Sequence, residues 1–104
     1  MGIFAVRNRT NGKILLGASL NLPGSLNRTR FQLQHGSHKI AALQQDWTTY
    51  GADGFSFEVL DELPPVEDKS HDYREDLNTL ESLWLDKLRP YGDAGYNTPP
   101  TTDR

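Results

Sequence analysis

The chain has 104 residues, 36% hydrophobic and 24% charged, with a formal net charge of −3 and no cysteine. That length supports one hydrophobic core, and the absence of cysteine excludes disulfides, thiolate nucleophiles and thiolate zinc sites. No apolar run reaches the ~20 residues of a membrane span, and no charged leader with an apolar stretch opens the chain. No membrane partner is expected, and a cytoplasmic location is the default.

From Gly2 to Ser19, two short β-type runs flank Asn11-Gly12. That pair predicts a hairpin closed by a type I′ turn, since both residues tolerate positive φ. Asn21-Leu22-Pro23-Gly24 then opens a helix, with Asn21 as N-cap and Pro23 in the first turn. It should run to about Gln34, with Leu22, Leu26 and Leu33 inward and Arg28 and Arg30 outward. His35-Gly36-Ser37 reads as a stop and a new cap. From His38, the positions Ile40, Leu43, Trp47 and Tyr50 form a helical stripe that Gly51 ends.

Phe55, Phe57 and Val59 alternate with polar residues, which predicts a strand with one buried face. Leu63-Pro64-Pro65 ends it, and residues 66–72 read as a polar connection or a ragged helix start. The last helix carries Leu77, Leu80, Trp84, Leu85 and Leu88 on one stripe and stops at Pro90. The expected class is mixed α/β (α+β). A three-stranded, mainly antiparallel sheet is flanked by three helices in the order β-β-α-α-β-α. Residues 1–97 form the domain, and 98–104 are expected to be a flexible tail.

Charge is unevenly shared along this plan. Residues 1–50 hold six Lys/Arg against one acid, Asp46, whereas residues 51–104 hold five Lys/Arg against thirteen Asp/Glu. The asymmetry fits a basic face that meets phosphate, or simply acids coating a solvated helix.

Two side chains carry chemical information. Glu81 falls inside the apolar stripe of the last helix, where an unpaired acid costs several kcal/mol of desolvation. It is either a ligand-binding carboxylate or a residue at the stripe's edge that reaches water or an arginine. His38 begins a helix after a basic one, which suits phosphate contact or proton transfer as well as plain capping. His35-x-x-His38 has a zinc-like spacing, but Gly36 breaks the helix between them and no third ligand stands nearby.

These features together resemble the GIY-YIG nuclease superfamily over nearly the whole chain. Gly2-Ile3-Phe4 stands where the family has Gly-Ile-Tyr, and Leu15-Leu16-Gly17 where it has Tyr-Ile-Gly. His38, Leu43-Gln44, Tyr50-Gly51, Phe55 to Leu60, Glu81 with Trp84, and Gly95-Tyr96-Asn97 follow at family spacings. The resemblance implies a divalent metal, Mg2+ or Mn2+, held by the helix glutamate against a scissile phosphate. In the family, hairpin tyrosines help activate water and an arginine stabilises the transition state.

The glutamate carries over to Glu81 and a frequent histidine to His38. The tyrosines are Phe4 and Leu15 here, and the arginine position falls on Ser25, thirteen residues before His38. Losing a positioned acid or base costs roughly 10²–10⁴ in rate, and losing one transition-state donor about 10²–10³. Activity is therefore expected to be weak, non-standard or lost. If the chain cuts, Glu81 holds the metal and Arg28, one turn past Ser25, replaces the arginine. His38 is then general base or phosphate contact, with Ser19 and Asn97 in support. Arg28, Arg30 and Lys39 are the expected nucleic-acid contacts, to DNA before RNA. Sequence selectivity is expected from a protein partner or from substrate shape. The alternative is a non-catalytic nucleic-acid-binding or protein-interaction domain on the same fold.

Overall fold

The structure, a computed structural model, describes residues 1–63 and 73–97. In chain order these form β1 (Gly2–Asn8), β2 (Ile14–Ser19), α1 (Leu22–Gln34), α2 (Ala41–Tyr50), β3 (Phe55–Glu62) and α3 (Tyr73–Leu88). Short 3-10 turns follow at Ala52–Gly54 and Gly92–Ala94. The connection expected at 66–72 and the tail expected at 98–104 lie outside the described residues.

β1 is the central strand of the order β2-β1-β3, and both of its pairings are antiparallel. A strand sends alternate side chains to opposite faces, so β1 must be apolar on both. Val6 packs with Leu33, Leu43, Trp47 and Phe55 under α1 and α2. Ile3 packs on the other face with Leu16 and Leu77 under α3, joined by Leu80, Trp84, Leu85 and Leu88. Each such buried side chain contributes roughly 1.5–3 kcal/mol. The predicted stripe of the last helix is the one that seats it.

The hairpin turn differs from expectation. Gly12 has φ 80°, but Asn11 does not have positive φ, so this is not a type I′ turn. The chain instead makes a five-residue loop anchored on Asn8, whose carbonyl accepts from Gly12 N–H at 2.8 Å. Asn8 Oδ1 also accepts from Thr10 N–H at 2.9 Å, and the residue is fully buried. A buried asparagine with its hydrogen bonds made outweighs the intrinsic preference of Asn-Gly.

The second helix begins at Ala41, later than His38, and Ile40 is its N-cap with no side-chain hydrogen bond. Tyr50, expected on the buried stripe, is 44% exposed, and Val59 on β3 is 45% exposed. Tyr50 is the last residue of α2, whereas Val59 lies mid-strand on β3, the edge strand that pairs only with β1 in the order β2-β1-β3. Asn21 does cap α1, its side chain accepting from Gly24 N–H. Gly51 ends α2 at φ 81°.

The segment after α3 closes the free edge of β2. Tyr96 N–H donates to Ile14 C=O at 2.9 Å. The Asn97 side chain accepts from Leu16 N–H at 2.8 Å and donates to Leu16 C=O at 2.9 Å. A Cβ on Gly95 would overlap the carbonyl oxygens of Ile14 and Pro90. Only glycine lets the backbones come this close.

Candidate functional site

An open cleft of about 410 Å3 lies between the β2 edge of the sheet, α1, and the segment leading into α2. Phe4, Leu15 and Gly17 form its apolar floor, Ser25, Arg28, Thr29 and Gln32 one wall, and His38, Lys39 and Ile40 the opposite rim. The wall residues are three or four apart on α1, so the helix presents them on one face. Among the described residues no acid lines the cleft, which carries the cations Arg28 and Lys39. Its electrostatics therefore favour an anion.

His38 is held in a defined state. Its Nδ1 accepts from Ile40 N–H at 3.1 Å, so the neutral ring carries its proton on Nε2. Its backbone N–H donates to Gln44 Oε1 at 3.0 Å, and Gln44 in turn donates to Leu33 C=O. Burial, with a smaller push from Lys39, lowers the pKa below its ordinary 6.5. The ring is thus neutral at pH 7 and offers a hydrogen-bond donor.

Phe4, Leu15, Ser25, Arg28, His38 and Lys39 all line this one cleft. Ser19, predicted as a supporting residue, shares a hydroxyl hydrogen bond with Ser25 and accepts from Asn21 N–H. It thereby ties the end of β2 to the start of α1. Asn97 supports the cleft from behind by its two bonds to Leu16. Arg30 does not join them. Its guanidinium lies 4.5 Å from the centre of the Phe57 ring, on the part of α1 turned to the sheet. A cation seated on an aromatic face there serves packing.

Glu81 is half-buried on α3, beside the stripe that packs on Ile3 and Leu16. It does not line the cleft, and it has no hydrogen-bond or ion-pair partner among the described residues. No group of three or more His, Asp or Glu able to hold a metal occurs among the described residues. His35 and His38 have no third metal-ligating side chain grouped with them among the described residues. A lone free carboxylate fits Mg2+, which keeps several waters and takes one or two carboxylates plus substrate phosphate. It does not fit a tightly held resident metal.

Thr29 and Gln32 escaped sequence reading, although their spacing of four and seven from Ser25 marks the same helix face. So did the polar network in which Asn8 Nδ2 donates to Tyr96 Oη at 3.1 Å and Tyr96 Oη–H donates to Asp46 Oδ2 at 2.6 Å. It joins β1, α2 and the segment after α3. Burial, reinforced by the bond to Asp46, pushes the Tyr96 pKa up to about 12.

No protein-family model matches the sequence, and no curated protein is significantly similar to it. Solved structures are similar. One is the catalytic domain of the homing endonuclease I-TevI, at TM-score 0.75 and 24% identity, covering 95% of this chain and 98% of that one. A second is the I-TevI catalytic domain with a glutamate-to-alanine substitution, at TM-score 0.75 and 23% identity, covering 97% and 95%. The likeness covers nearly the whole chain, so the chain has the fold of the GIY-YIG nuclease catalytic domain.

Proposed function

We propose that this domain binds nucleic acid in the cleft between β2 and α1, with phosphodiester hydrolysis weak, non-standard or lost. The observation that carries the reading is the cleft's own lining. Cationic Arg28 and Lys39 and the neutral donor His38 surround a floor of Phe4 and Leu15. Such a site attracts phosphate but offers no hydroxyl from its floor to activate water. The Nδ1 of His38 is occupied and its Nε2 is protonated, so this ring serves as a phosphate donor and not as a general base. The likeness to a homing endonuclease catalytic domain makes DNA the first substrate to test.

We assign a divalent ion to Glu81 on the family resemblance alone, since its carboxylate does not line the cleft. Such an ion, when bound, supplies charge neutralisation at the phosphate and a more acidic water. Arg28 would stabilise the negative charge that builds up on a phosphate in the cleft.

The test sets single- and double-stranded DNA against a series of divalent metals, with wild type beside Glu81→Ala and Arg28→Ala. Binding should weaken steeply with salt, and Arg28→Ala should reduce the salt slope by about one. Glu81→Ala should leave metal-free binding unchanged or tighter, because it removes a negative charge, and should abolish any residual nicking. Absence of salt-dependent binding would remove the nucleic-acid reading. Efficient Mg2+-dependent cutting by the wild type would remove the claim of lost chemistry.

A further inference from the structure

We propose that Phe31 and His35 form a stacking platform for one nucleobase of a single-stranded or frayed segment whose backbone lies against Arg28. This deepens the nucleic-acid reading and rests on it.

Phe31 is 59% exposed and belongs to neither core cluster, so the fold itself does not use the ring. It is nonetheless ordered by a neighbour. The Phe31 and His35 rings are stacked with centroids 4.0 Å apart and planes 25° apart. A carbonyl oxygen can only accept, so the contact of His35 Nδ1 with Phe31 C=O at 2.9 Å makes Nδ1 the donor and fixes the imidazole. A rigid flat surface loses little freedom when a second ring is added.

The surroundings choose the occupant. Arg28, Phe31 and His35 stand at i, i+3 and i+7 and share one face of α1. Arg28 lines the cleft and Phe31 and His35 do not, so the platform lies outside the cleft, beside Arg28 along the helix. Three residues of helix rise about 4.5 Å, which a single nucleotide spans from phosphate to base. The helical neighbours of Phe31 are Asn27, Arg28, Gln34 and His35, and no Asp or Glu occurs before Asp46. A protein partner would call for a broader apolar patch. One apolar ring set among polar and basic side chains suits one base carried on an anionic backbone. Stacking of this kind tolerates any base, since every base has a π-face.

The experiment compares a labelled single-stranded oligodeoxynucleotide, the same length of abasic strand, and a blunt duplex, all read by anisotropy. Phe31→Ala should weaken the base-bearing single strand about 5- to 150-fold with the salt slope unchanged. The abasic strand and the duplex should move less than about 2-fold. Phe31→Trp should restore affinity, and the added fluorescence should quench on the base-bearing strand but not on the abasic one. Equal affinity of wild type and Phe31→Ala for the base-bearing strand would overturn the platform while leaving the cleft reading intact. A Phe31-dependent dimer formed without DNA would also overturn it, by assigning the ring to protein contact. Failure of every strand to bind wild type would overturn both readings together.

Discussion

The tip of the Phe4 ring rests on Gly17 across the β1–β2 pair, so that a Cβ built on residue 17 would lie 2.5 Å from Phe4 Cζ. Glycine is what seats the ring in the cleft floor. Gly17→Ala should therefore displace the ring and cost roughly 1–3 kcal/mol. The check is a fall in Tm with the mixed α/β circular dichroism spectrum retained.

The floor is also where hydroxyls can be put back. Phe4→Tyr adds a hydroxyl at Cζ, and Leu15→Tyr and Ser25→Arg alter two further cleft-lining positions. The triple variant should raise Mg2+-dependent nicking of plasmid DNA by at least about 10²-fold over wild type. Adding Glu81→Ala to it should take that gain away. A triple variant no faster than wild type would show that something other than the floor limits the chemistry.

His38 should titrate below 6.5 and show its proton on Nε2 in 15N imidazole spectra, because Ile40 N–H occupies Nδ1. A lowered pKa in the folded state favours the neutral ring. Its contribution to stability is thus present above the unfolded value near 6.5 and is lost as pH falls through the folded value. Thermal melts from pH 8 to pH 5 check the sign. His38→Ala should remove this dependence.

Tyr96→Phe should leave the buried Asn8 amide without its acceptor and cost about 1–3 kcal/mol. The raised phenol has the opposite pH sense. Stability from the neutral hydroxyl is present below the ordinary value of 10 and is lost as pH climbs towards about 12. Ultraviolet titration of tyrosinate should show one phenol ionising late, and Tyr96→Phe should delete that component.

Much of this molecule was legible along the chain. Strand alternation and the stripe of Leu77, Leu80, Trp84, Leu85 and Leu88 mark elements whose period follows from local geometry. The family resemblance pointed to Ser25, Arg28 and His38, and these three do line one cleft. The turn after Asn8 was misread, because Asn-Gly states a local preference while the buried Asn8 is held by distant Tyr96.

Arg28 and Arg30 look alike in one dimension, both basic and both on the outward side of an amphipathic helix. Only packing separates them, with Arg30 laid on Phe57 and Arg28 turned to the cleft. By itself, then, the sequence determined the order of elements, the apolar stripe of the last helix and the positions that depart from the resembled motif, since each depends on chain-local period and identity. Tertiary structure alone decided which cations face the cleft, which nitrogen of His38 holds the proton, and how Asn8, Tyr96 and Asp46 meet. Those outcomes arise from contacts between elements far apart in the chain, whose relative placement no local preference encodes.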